Sequence, residues 1–190
     1  MPSKGPVIIY WDTSVFFGFL NKEKGRLDDI EILLDKAERK EILISTSTIT
    51  LTEAYKIGGK ASQQDLEKIR EFLKHDYFRL IALDRATAFT TQEIRQEYES
   101  HVDFEDSIHL GTAVHHNIGI LLTYDGEKKG ARKLLSLDKK LTLRNGEKLR
   151  ILRPGDYIRE LHPLLLVNDF HEQQKQKEET TEASDASPSV

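Results

Sequence analysis

The sequence predicts an α/β fold of three layers, α/β/α, with a central, mainly parallel sheet and a C-terminal β-hairpin insertion. Three observations lead there. Short apolar runs rich in β-branched and aromatic residues alternate with longer segments of helical periodicity. That alternation is the pattern of strand–helix–strand units, whose crossovers leave helices on both faces of the sheet. Acidic residues recur just beyond the strand-like runs and at adjoining helix starts, where open sheets of this kind build their sites.

Taken in order, Val7 to Trp11 is too short for a helix and reads as the first strand. Asp12-Thr13-Ser14 follows, and Val15 to Leu20 reads as a short helix. Residues 28–40 place Ile30, Leu33, Leu34 and Ala37 at helical spacing. Ile42 to Ser45 is the second strand, a helix begins near Thr50, and Gln63 to His75 sets Leu66, Ile69, Phe72 and Leu73 on one helical face. Phe78 to Leu83 is the third strand, Arg85 to Glu99 and Phe104 to His116 are helices, and Ile118 to Tyr124 is the fourth strand.

Residues 139–153 break this rhythm, because Asn145-Gly146 sits between two alternating segments, a hairpin signal. A two-residue turn would set Leu143 opposite Lys148. A three-residue loop pairs Leu143 with Leu149 and collects Leu141, Leu143, Leu149 and Ile151 on one face. The dipeptide favours the first register and the apolar pattern the second. Asp156 to Leu166 reads as a final helix interrupted at Pro163.

A length of 190 residues suits one domain, placed at residues 1–170. Residues 171–190 hold almost no apolar side chains and read as a disordered acidic tail. With no cysteine, disulfides and thiolate metal sites are excluded. No apolar run approaches the roughly 20 residues that cross a bilayer, and the N-terminus lacks a signal-peptide layout, so the expectation is a soluble cytoplasmic protein. The net charge of −4 is unevenly spread: Lys128 to Arg153 carries ten basic residues against two acids, a balance of +8, leaving −12 elsewhere. That split permits a basic surface beside an acidic pocket, although a solvated charged face explains it equally well.

Asp12 ends the first strand, Glu53 lies in the first turn of the helix after the second, Asp106 opens the helix before the fourth, and Asp125 ends the fourth. Four carboxylates within a few ångströms repel one another unless a counter-charge is present. A divalent cation supplies it, and hard oxygen donors without cysteine favour magnesium or manganese over zinc. Each acid also has an ordinary explanation. Asp12 suits a helix N-cap, Thr50 to Glu53 a capping box, Asp106 the positive end of its helix, and Asp125-Gly126 a turn. Their shared edge in the expected topology is what sets them apart.

The segments VIIYWDTSVFFGFL, ISTSTITLTEAY, DFEDSIHLGTAV and IGILLTYDGEKKG resemble, in order, the four acidic blocks of the PIN-domain family, in the style of its VapC-like toxin ribonucleases. The resemblance spans roughly residues 7 to 160. It implies a PIN-like fold and an endoribonuclease dependent on Mg2+ or Mn2+, with Asp12, Glu53, Asp106 and Asp125 as catalytic and metal-holding acids. Ser14 and Thr123 fall where the family carries supporting polar residues, and Asp103 crowds Asp106 closely enough to supplement it. The subgroup implies an antitoxin and a homodimer as partners. The basic stretch is longer than the family's usual link after the fourth acid. Lys128, Lys129, Arg144, Lys148 and Arg150 are its candidate RNA contacts.

His109, three residues from Asp106, can approach the acids, but a surface or supporting place is the plainer expectation. Trp11, Phe16, Phe17 and Phe19 could stack bases, yet core packing fits their apolar surroundings better. Two other readings compete: a catalytically silent PIN-like module that binds RNA or assembles, and a receiver-like domain phosphorylated at an acid such as Asp12.

Overall fold

The structure is a computed structural model that describes residues 5–53, 63–126 and 134–161. Its strands are β1 (Val7–Trp11), β2 (Ile42–Ser47), β3 (Phe78–Ile81), β4 (Ile120–Leu122) and β5 (Arg150–Leu152). Its helices are α1 (Thr13–Leu20), α2 (Leu27–Glu38), α3 (Ile49–Glu53), α4 (Gln63–Phe72), α5 (Arg85–Tyr98), α6 (Phe104–His115) and α7 (Pro154–Leu161), with a 3₁₀ turn at Leu134–Leu137. Two compact units divide the chain, Met1–Pro154 and Gly155–Val190. The sheet lies wholly in the first. The interruption expected at Pro163, the acidic tail, Lys128 and Lys129 all fall outside the described residues.

All five strands are parallel, in the order β3-β2-β1-β4-β5. The chain moves outward from β1 through β2 to β3 and then crosses back to β4. The order therefore reverses beside β1, and the crevice beyond the carboxyl ends of β1 and β4 is the switch point where such sheets hold ligands. Registers of Tyr10 with Leu121 and Trp11 with Leu122 bring those ends level. Asp12 N–H continues the ladder to the Leu122 carbonyl at 3.1 Å.

Successive side chains of a strand face opposite layers, and β1 shows why its run is apolar throughout. Tyr10 joins a core with Leu110 and Ala113 of α6, Ile94 of α5 and Leu121 of β4. Trp11 meets Phe16 of α1 and Phe78 of β3 edge-on, at 5.4 and 5.9 Å between centroids. Each large side chain so buried stabilises the fold by about 1.5–3 kcal/mol. Trp11 and Phe16 are fully buried and thus core residues, whereas Phe17 and Phe19 are half-buried.

The C-terminal hairpin is not formed as expected. Only one antiparallel bridge, Thr142 with Lys148, is present among the described residues, and the second arm instead becomes β5, parallel to β4. Neither expected register occurs. Leu143 N–H donates to the Glu147 carbonyl at 2.8 Å and Leu149 N–H to the Leu141 carbonyl at 3.0 Å, so Leu141 lies opposite Leu149. Gly146, at φ +88°, closes a three-residue loop that a Cβ-bearing residue would strain. Leu141, Leu143, Leu149 and Ile151 are nevertheless all buried, because burial against the main core decides their facing.

Helices α5 and α6 approach closely at one point. A Cβ on Gly111 would stand 2.2 Å from Thr91 Oγ1 and 2.8 Å from Thr91 Cα, and backbone cannot swing aside as a flexible side chain can. Gly111→Ala should therefore push the two helices apart and cost about 1–3 kcal/mol. Urea unfolding measures this, and an unchanged midpoint would show that the helices are not held at that spacing.

Candidate active site

Strand geometry delivers Asp12 to the crevice. It follows β1 immediately, is the N-cap of α1, and accepts from Val15 N–H at 3.3 Å, so the capping reading is correct as far as it goes. The carboxylate does more than cap. Ser14 Oγ donates to Oδ1 at 2.6 Å, and Thr123 Oγ1, at the end of β4, donates to Oδ2 at 2.5 Å. Asp12 is only 4% exposed. Burial pushes its carboxyl above the ordinary range, and the His109 charge with these hydrogen bonds offsets that only in part.

Glu53 ends the described part of α3 and faces the same crevice. The capping box expected of Thr50 to Glu53 does not form, because this carboxylate turns to other partners. Thr13 Oγ1 donates to Oε2, and His109 Nε2 donates to the same oxygen at 2.8 Å. Burial alone would raise the Glu53 carboxyl. The His109 hydrogen bond and charge, with Thr13, outweigh burial and hold it below the usual value.

Asp103 and Asp106 form a capping box at the start of α6. Asp106 N–H donates to Asp103 Oδ1 at 2.9 Å, and Asp103 N–H reaches Asp106 Oδ2 at 3.4 Å. Burial first, then the neighbouring Asp103 and Asp125 carboxylates, push Asp106 up to about 7. Asp125 follows β4 across a short turn. Its N–H donates to Thr123 Oγ1 at 2.8 Å, and its Oδ2 accepts from Leu134 N–H at 3.1 Å. Burial, with Asp103 adding repulsion, raises its carboxyl as well.

Asp12, Glu53, Asp103, Asp106 and Asp125 thus line one cleft of about 390 Å³, together with Thr13, Ser14, Phe17 and His109. A larger groove beside α1 and α4 lies among Phe19, Phe72 and charged side chains, without this gathering of carboxylates. Among the described residues, no three Asp, Glu or His side chains are drawn together as a finished cation cage. The acids ring an open space. Of the basic residues, Arg144 and Lys148 are exposed, but Arg150 Nε is bonded to Asp138 Oδ1 at 3.1 Å and half-buried. Arg150 therefore already takes part in an ion pair within the fold.

Two residues of the cleft, His109 and Thr13, are only weakly marked in the sequence. His109 is 2% exposed, inside the fold, with Nδ1 2.8 Å from the Tyr10 hydroxyl. Its three-residue spacing from Asp106 was the available signal, since that spacing shares a helical face. Thr13 had only its place beside Asp12 to mark it.

The family model for the PIN domain matches residues 9–134, about two-thirds of the chain and all four acids. The chain belongs to the PIN domain family. No curated protein matches it in sequence. Solved structures share the PIN fold. The structure of VapBC2 from Rickettsia felis bound to a promoter DNA fragment superposes with a TM-score of 0.51 at 22% identity, over 62% of this chain and 88% of that one. VapC20 from Mycobacterium tuberculosis, a sarcin–ricin loop cleaving toxin, gives 0.51 at 16% identity, over 63% and 91%. FitAcB from Neisseria gonorrhoeae gives 0.51 at 18% identity, over 77% and 98%. In this PIN domain, no described helix is long and apolar enough to cross a membrane.

The raised Asp106 carboxyl makes a prediction for the metal-free protein. A carboxyl whose folded pKa exceeds its unfolded value of about 3.9 contributes stability below that value and loses it as pH rises through the folded pKa. Asp106 should therefore make the fold progressively less stable between about pH 4 and its value of about 7. Thermal unfolding in chelator should show a shallower decline across that window for Asp106→Asn. Identical pH profiles for variant and wild type would mean the carboxyl is not under this strain.

Proposed function

We propose that this PIN domain is a metal-dependent endoribonuclease, with Asp12, Glu53, Asp106 and Asp125 as its catalytic acids, acting as the toxin of a toxin–antitoxin pair. The observation that carries the reading is the convergence of these four acids, from β1, α3, α6 and β4, on one cleft at the sheet's switch point. The donor set suits Mg2+ or Mn2+. It is all hard oxygen, and beyond the burial that raises the Asp106 and Asp125 carboxyls, Asp103 and Asp125 repel Asp106 and Asp103 repels Asp125, a like-charge crowding that a divalent cation would relieve. Magnesium keeps several waters and takes few protein carboxylates, so an open ring matches it better than a closed cage.

When bound, such a cation supplies a more acidic water and neutralises charge on a phosphodiester. The chain's own contribution is positioning. Ser14 and Thr123 fix both oxygens of Asp12, Thr13 and His109 fix one oxygen of Glu53, and Leu134 N–H fixes one oxygen of Asp125. Phe17 forms part of the wall. VapC20, a sarcin–ricin loop cleaving toxin with this fold, supports cleavage as the activity. An antitoxin partner and a homodimer belong to the same proposal, by the family resemblance.

Asp12→Asn should lower RNA cleavage in Mn2+ by about 100-fold or more, equivalent to roughly 3 kcal/mol of lost transition-state stabilisation. It should leave the circular dichroism spectrum unchanged and reduce the thermal shift that Mn2+ produces. A folded variant that cuts RNA at the wild-type rate removes the four-acid assignment. RNA that binds equally well in chelator and is never cut in Mn2+ would establish the silent binding module instead.

Of the five cations proposed for RNA contact, Arg144 and Lys148 are both described and exposed. Each contact to single-stranded RNA contributes a slope of about −0.7 to log affinity against log salt. Replacing both with glutamine should weaken binding and reduce the slope by up to about 1.4. A slope that stays put would point the phosphate path away from this loop.

A further inference from the structure

We infer that His109, held in register by Tyr10, is the positioning residue that presents Glu53 to the cleft. This rests on the four-acid reading above and adds to it a role for residues outside the acidic set. Glu53 is the last described residue of α3, and its carboxylate is held by side chains from other elements, Thr13 of α1 and His109 of α6. His109 comes from the middle of α6, fifty-six positions later, and its Nε2 reaches Glu53 Oε2 at 2.8 Å. A carboxylate only accepts, so Nε2 carries a hydrogen whichever form the ring takes. The other ring nitrogen lies 2.8 Å from the Tyr10 hydroxyl, which comes from the central strand. Tyr10 and His109 also meet edge-on, with centroids 5.7 Å apart, so the ring is steered by packing as well as by hydrogen bonds.

The contact is directional. Thr13 Oγ1 and His109 Nε2 both end on Oε2, and Thr13 Oγ1 lies 3.1 Å from Nε2, closing a triangle. Among the described residues, Oε1 receives no hydrogen bond. Oε2 is thus anchored inward, and Oε1 is the atom left for the cleft. Behind Thr13 runs a buried hydroxyl chain: Thr50 Oγ1 at 3.4 Å, Thr46 Oγ1 2.8 Å beyond it, and the Trp11 carbonyl 2.9 Å from Thr46. Both anchors of Glu53 are therefore seated on the core around β1. Partners of this kind, which orient a ligand without touching the ion, typically carry 10–100-fold of metal affinity or activity.

The test is Mn2+ affinity by titration calorimetry on the full chain, beside RNA cleavage kinetics, for wild type, His109→Ala, His109→Gln and Tyr10→Phe. His109→Ala is expected to weaken Mn2+ binding roughly 10-fold or more and to lower kcat with little change in KM for RNA. His109→Gln keeps an N–H donor and should recover most of both losses. Tyr10→Phe removes one hydroxyl while preserving the core volume, and should weaken Mn2+ binding a few-fold even if His109→Ala fails to fold. A wild type that binds Mn2+ while folded His109→Ala or Tyr10→Phe binds equally well overturns the His109 assignment alone. A glutamine variant no better than alanine likewise removes the directional bond and leaves only packing. A wild type that neither binds Mn2+ nor cuts RNA overturns the four-acid reading, and this inference falls with it.

Discussion

The buried carboxylate of Asp12 is the constraint around which the cleft is arranged. A carboxylate is rarely left this far from water unless several donors meet it. Here the donors come from separate parts of the chain: Val15 N–H and Ser14 in the turn into α1, and Thr123 at the end of β4. Those bonds exist only if β1 and β4 are neighbours and end level with each other, as the Trp11–Leu122 register provides. Strand pairing, the crossover from β3 to β4 and the position of Asp125 two residues past Thr123 are all implicated in keeping one charge tolerable. Four further acids line the same cleft, and the repulsion among Asp103, Asp106 and Asp125 adds to the burial that pushes Asp106 and Asp125 upward.

Much of the architecture could be read from residue pattern. Ile9 to Trp11 and Ile42 to Ile44 are apolar in succession because strands covered on both faces have no solvent side to mark. Asp12, Glu53, Asp106 and Asp125 could be placed at one edge because parallel sheets put every strand's carboxyl end on the same side. The fates of Arg150 and Glu53 were less legible. Arg150 looks like any other cation in a basic run, and only the fold brings it to Asp138. Thr50 and Glu53 have the spacing of a local cap, but a long-range partner in α6 competes successfully for the carboxylate.

The hairpin shows the same limit in another form. Asn145-Gly146 specifies a local reversal, and a reversal does occur there. What the dipeptide cannot convey is that residues 150–152 have a better partner in β4, more than twenty-five positions earlier. Their parallel pairing extends the sheet and shortens the antiparallel ladder to one bridge. The leucines remain inward because the observed register is shifted by two residues from the one pairing Leu143 with Leu149, and a shift of two, unlike a shift of one, keeps each side chain on its face. His109 was obscured for a related reason: helical spacing put it near Asp106, while its decisive contacts, Tyr10 and Glu53, lie far away in sequence.

The start of α6 is built from residues that also face the cleft, and its two capping bonds are unequal. Asp103 takes the shorter bond from Asp106 N–H, whereas Asp106 takes the longer one, at 3.4 Å, from Asp103 N–H. An Asp106 side chain recruited by an incoming ligand surrenders the weaker half of this reciprocal clasp. The stronger half persists, so the first turn of α6 resists fraying while one of its own acids changes allegiance.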